Sequence, residues 1–161
     1  MSRPRPESVD FVLGGYGEVV ARMVPLAAAG SGWVNLRPVI EPEHQPEPPG
    51  PLAIFGGSPH KVPTATWVPG RPLEDGSPGP SSVGLQHSTG PRVARRLAEV
   101  GLPLPEGWKV TQDHPRRGLV AKVPAGPPDT AMVDWLARAA TVVCAVPVTG
   151  RWAADVHAGR A

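Results

Sequence analysis

One cysteine, Cys144, stands in a chain of 161 residues, so no disulfide can close within it, and a reducing compartment is the expected setting. Long apolar runs are also missing. The longest nearly apolar stretch, residues 139–148, contains Thr141 and Pro147 and falls far short of the roughly 20 residues that span a bilayer. Residues 1–7 are polar and proline-broken, with neither an apolar h-region nor a small-residue cleavage site. These absences lead us to expect a cytoplasmic, soluble protein without membrane contact.

Catalytic and metal signatures are absent as well. There is no HExxH, paired CxxC or short His-x-His among His44, His60, His87, His114, His157 and Cys144, so a metal site would have to be assembled entirely by the fold, and neither metal nor cofactor is expected. No GxSxG elbow or Walker-type Lys-Ser/Thr occurs. Gly14, Gly15 and Gly17 sit in a glycine-rich run, but Val20 stands where a dinucleotide fingerprint needs its third glycine, and Glu18 would oppose a phosphate. A structural role is read for them.

Proline and glycine, by contrast, are abundant: 23 and 19 residues. They appear without the period of collagen, and no heptad or solenoid repeat is visible. Apolar content of 40 % and five tryptophans, Trp33, Trp67, Trp108, Trp135 and Trp152, argue for a packed chain, because each indole gains by burial. A chain of this length buries roughly 70 % of its unfolded surface. We expect one α+β domain over residues 1–161, mainly antiparallel sheet with three helices and long Pro/Gly-rich loops.

The period of the apolar residues places the elements. Val9, Val12, Leu13, Tyr16, Val19, Val20, Met23 and Val24 follow helical spacing, and Pro25 should end or kink that helix. Residues 33–40 alternate as a strand, with Pro38 favouring an edge or bulge. Strands are expected at 51–55, 62–68 and 83–87, the first two joined as a hairpin. A helix over 91–100 is expected with an apolar stripe at Val93, Leu97 and Val100, capped by Ser88 or Thr89 and stopped by Gly101. Strands over 108–113 and 118–123 flank a turn at 114–117. A helix over 130–144 follows, capped by Asp129, buried through Met132, Leu136, Ala139 and Val143, and stopped by Pro147. Cys144 reads as a buried thiol on it. Residues 151–157 read as a closing strand. Segments 41–51 and 69–81 read as flexible proline-rich loops, and 1–5 and 158–161 as disordered tails.

Charge is unevenly spread. The whole chain is +2, but residues 92–122 hold seven basic and three acidic groups. Arg92, Arg95 and Arg96 fall on one helix flank, and His114, Arg116 and Arg117 crowd the predicted hairpin tip, with Lys109 and Lys122 on its strands. Guanidinium forks beside a helix N-terminus suit a phosphate or carboxylate. The competing reading is a cationic surface that merely keeps the protein wet.

Three functions are therefore expected in order. First is a non-enzymatic binding or adaptor protein whose arginines meet an acidic protein or a small anion. Second is nucleic-acid binding through the same patch. Third is a hydrolase or transferase built on His87, Ser88, Asp113 and His114, although sequence neighbours on a strand face apart. Glu41, Glu43 and Glu47 oppose the patch in sign, which also suggests a homodimer.

Overall fold

Seven extended segments pair into one antiparallel sheet in the computed structural model, which describes residues 5–45 and 62–159. The strands are β1 (Glu7–Val12), β2 (Trp33–Pro38), β3 (Thr64–Val68), β4 (Ser81–Gln86), β5 (Lys109–His114), β6 (Gly118–Val123) and β7 (Arg151–His157). Their order is β1-β7-β2-β3-β4-β6-β5. Three α-helices, α1 (Gly17–Ala29), α2 (Val93–Glu99) and α3 (Thr130–Val142), complete a single α+β domain.

The pleat sorts side chains onto two faces. Phe11, Trp152, Val34, Leu36, Ala65, Trp67, Val83, Leu85, Leu119 and Ala121 point inward, where Val19 and Met23 of α1 and Val133 and Leu136 of α3 cover them. Fully burying one such aliphatic chain contributes about 1.5–3 kcal/mol, so this layer is the main source of stability. The opposite face presents a register-matched row across the sheet, Ser8, Asp155, Asn35, Thr66, Gly84, Val120 and Gln112. No helix packs on that face among the described residues.

Several sequence expectations change here. The single N-terminal helix is in fact a strand, a turn and a helix. Gly14 adopts φ 89° and the Gly15 amide donates to the Val12 carbonyl at 2.9 Å, a reversal that glycine accepts at little cost. Val12, Leu13 and Val24 are consequently exposed rather than buried. Pro25 lies inside α1 without ending it; the helix runs on to Ala29 and is closed by Gly30 in the left-handed region. Pro38 is not on an edge strand, since β2 lies between β7 and β3, but it occupies the last position of β2, beyond the β3 pairing. The strand expected over 151–157 is present as β7 and lies between β1 and β2.

Helix α3 keeps its expected start, with the Asp129 carboxylate accepting the Met132 amide at 2.8 Å. It ends at Val142, before Pro147 can act, and Cys144 is partly exposed beyond it rather than buried on it. Helix α2 begins at Val93, capped by neither Ser88 nor Thr89, and Val100 past its end is exposed. The strand expected at 51–55, its hairpin turn, most of the 41–51 loop, and residues 1–4 and 160–161 lie outside the described residues. The segment expected as a mobile loop, 69–81, contains a turn of its own, with the Leu73 amide donating to Ser77 and the Gly76 amide to Leu73.

Candidate functional site

The basic residues expected to act together are divided by the sheet. Asp113 on β5 pairs with the inward Leu119, whereas Gln112 and Lys109 pair with the outward Val120 and Lys122. Helix α2 lies beside Asp113, so its arginines belong to the helix-covered side, and Lys109 and Lys122 belong to the open side. The β5–β6 tip carrying Arg116 and Arg117 sits where the two sides meet.

Each of these groups has a distinct situation. Both oxygens of the Asp113 carboxylate accept α2 amides, Val93 at 3.1 Å and Ala94 at 3.0 Å. The amides that were expected to receive an external anion are therefore already engaged by this strand carboxylate. Arg95 pairs with Glu99 at 2.9 Å on the surface. Arg96 turns back onto the loop, donating to the Thr89 hydroxyl at 2.9 Å and the Gly90 carbonyl at 3.3 Å. Arg92 is exposed at the helix start with φ 58°, the one non-glycine residue at positive φ among the described residues.

The histidine cluster is likewise built into the main chain. His87 is 1 % exposed, and its Nδ1 lies 3.1 Å from the Thr89 hydroxyl and accepts the Thr89 amide at 3.3 Å. Arg96 donates to the same hydroxyl, leaving its proton for His87, so Nδ1 is the acceptor and the ring proton is placed on Nε2. The hydroxyl that meets this ring is thus Thr89 rather than the neighbouring Ser88. His114 Nδ1 accepts the amides of Arg116 and Arg117 at 3.1 and 3.2 Å, which closes the hairpin tip.

On the open face, Arg117 lines a trough of about 500 Å³ together with Asn35, Thr64, Thr66, Gly84 and Gln86. The absence of a side chain at Gly84 forms its floor. The Thr66 hydroxyl donates to the Asn35 carbonyl oxygen at 2.8 Å, which frees the Asn35 amide hydrogens for another acceptor. Trp33, 41 % exposed, stacks on His157 at 4.4 Å between ring centroids on this same face. Lys122 donates to the Ser82 hydroxyl at 2.9 Å two strands further along. Arg37 donates to Asp155 from Nε at 2.7 Å and from a terminal nitrogen at 3.3 Å, and those hydrogen bonds hold the Asp155 carboxyl below its ordinary range.

A second concavity was not visible in the sequence. The β1–α1 turn, the end of α2 and the outer side of α3 enclose a groove of about 560 Å³ lined by Leu13, Tyr16, Val100, Leu102, Asp134, Arg138 and Val142. The Tyr16 hydroxyl donates to Asp134 Oδ1 at 2.7 Å, and Arg138 Nε forms an ion pair with Asp134 Oδ2 at 2.8 Å. Burial, followed by the bond to Asp134, raises the Tyr16 phenol above its ordinary value, which keeps it a donor. The sequence signal available was the Asp134/Arg138 spacing; Tyr16 joins only through the fold.

Comparison with known proteins finds no family model, no curated protein and no solved structure that matches this chain.

Proposed function

We propose that this protein is a non-enzymatic binding or adaptor module that takes an acidic protein or a small anion on the β5–β6 tip and the adjoining open sheet face. The observation that carries the reading is the pair Arg116 and Arg117: both are exposed, and neither forms an ion pair among the described residues. Unspent guanidinium forks favour carboxylate or phosphate geometry, and Arg117 borders a trough that also presents the hydroxyls of Thr64 and Thr66 and the amides of Asn35 and Gln86 beside the apolar Val120. A catalytic reading has less support, because both Asp113 oxygens and the Nδ1 of His114 accept backbone amides.

Nucleic acid is the second reading, and one observation favours it. Trp33 is an exposed aromatic on the same face as Lys122, and bases stack on such rings.

Fluorescence anisotropy of a labelled polyglutamate peptide, single-stranded DNA, duplex DNA and RNA, at two salt concentrations, tests both. Peptide binding that is lost in the Arg116→Ala, Arg117→Ala double variant supports the first reading. Nucleic-acid binding whose salt slope falls by up to about two in the double variant supports the second. No binding of any probe at low salt overturns both.

A further inference from the structure

We propose that the groove between the β1–α1 turn, the end of α2 and α3 binds a small amphiphile, an apolar body carrying one carboxylate. The site is separate from the open sheet face and independent of what binds there.

The walls and the polar end differ in kind. Leu13, Val100 and Val142 are 42, 62 and 47 % exposed, and all three border the same concavity with Leu102. Isolated exposed apolar residues are ordinary, but three around one hollow form a contiguous apolar surface of the kind that receives ligands. The volume of about 560 Å³ lies within the usual range of small-molecule sites. Water in such a hollow is poorly bound by its walls, and an alkyl or aryl body would displace it favourably.

The polar end selects the headgroup. Asp134 spends one oxygen on the Tyr16 hydroxyl and the other on Arg138 Nε. The carboxylate is thereby held in place, and the ion pair keeps the Arg138 guanidinium at the polar end of the groove. The terminal nitrogens of Arg138 have no hydrogen-bond partner among the described residues, and they are donors only. A ligand carboxylate accepts from both in a planar, bidentate arrangement. An ammonium headgroup meets Arg138 as a like charge, with each Asp134 oxygen already engaged once, and an alcohol gains a single neutral bond.

Octanoate, octanol and octylammonium, matched in apolar body, are the probes, and titration followed by amide chemical-shift changes at residues 13–16 and 100–102 is the readout. Octanoate is expected to bind at least tenfold more tightly than either of the others. Arg138→Gln should abolish that preference while leaving octanol binding in place, because the apolar walls are untouched. Arg138→Lys, which keeps the charge but loses the fork, should retain only part of it. Val142→Asp, at a half-exposed position, should weaken octanoate and octanol alike. Equal binding of the three probes to the unmodified protein, shifts that do not saturate, or a preference unchanged in Arg138→Gln would each overturn the proposal.

Discussion

The carboxylate of Asp113 and the amide of Ala94 meet at 3.0 Å, so a side chain on β5 serves as the N-terminal cap of a helix that precedes it in sequence. Helix α2 has seven residues and no capping side chain of its own. Helices this short are unstable alone, and α2 therefore depends on β5 for its first turn. Asp113→Ala is expected to destabilise the protein by about 1–2 kcal/mol, with Asp113→Asn costing less because its amide oxygen still accepts one of the two N–H groups. Urea denaturation of the two variants against the parent checks this, and equal loss from both would contradict the capping account.

Gly118→Ala is expected to be more damaging. The residue has φ 82°, and a Cβ there would run into the Leu85 backbone on the neighbouring strand. Positive φ alone costs of order 1–2 kcal/mol for alanine, and strand backbone cannot yield as a flexible side chain does. Loss of several degrees in thermal midpoint is the outcome to look for. By comparison, Gly84→Ala, where the nearest atom is at ordinary contact distance, should change stability little.

Arg92 offers the opposite sign. Its left-handed backbone carries strain that glycine would not, whereas glycine loses more chain entropy on folding. The two effects are of similar size, so Arg92→Gly should leave stability within about 1 kcal/mol of the parent while removing one exposed cation. Chemical denaturation measures the first outcome. Anisotropy should show acidic-peptide binding unchanged, because α2 lies on the helix-covered side and not on the proposed face.

The Arg37–Asp155 pair ties stability to pH. Its carboxyl is held below the ordinary value in the folded state, chiefly by the Arg37 hydrogen bonds. Such a group binds more protons when unfolded, so its contribution is complete above the unfolded value of about 4 and is lost as pH falls through the lower folded value. Asp155→Asn should therefore lower stability above about pH 4, where the contribution is complete, and converge on the parent as pH falls through the folded value. Because Arg37 is half exposed, the effect at neutral pH should stay under about 1 kcal/mol. Denaturation midpoints from pH 2 to 7 for parent and variant decide it.

Much of the sheet was legible because short extended runs with apolar residues on one face, such as Val34 and Leu36 in β2 or Val83 and Leu85 in β4, survive regardless of partners. The N-terminal error has a physical origin: Val9, Val12, Leu13 and Tyr16 fit helical spacing, but Val9 and Phe11 also fit a strand, and Phe11 was the buried residue that the helical pattern omitted. Two glycines that would weaken a helix instead make a turn. Caps supplied across the sheet, such as Asp113 on α2, leave no local signature, since a carboxylate before a turn reads as turn chemistry. The same holds for the meeting of Tyr16 with Asp134, and for the division of the arginines between two faces, which depends on strand order. Val100 was read into the α2 stripe, and the turn after Glu99 moved it to the groove.

The position of β7 has a consequence for how the chain is made. Strands β1 and β2 flank it, and neither is bonded to the other. Strand β1 pairs with β7 alone, so Phe11 gains a strand neighbour only once residues 151–157 have been made, whereas β2 can already pair with β3. Pairing between segments so distant in sequence is slow to nucleate. Strand β7 thus acts as the fastener that joins β1 to the β2-β3-β4-β6-β5 body of the sheet.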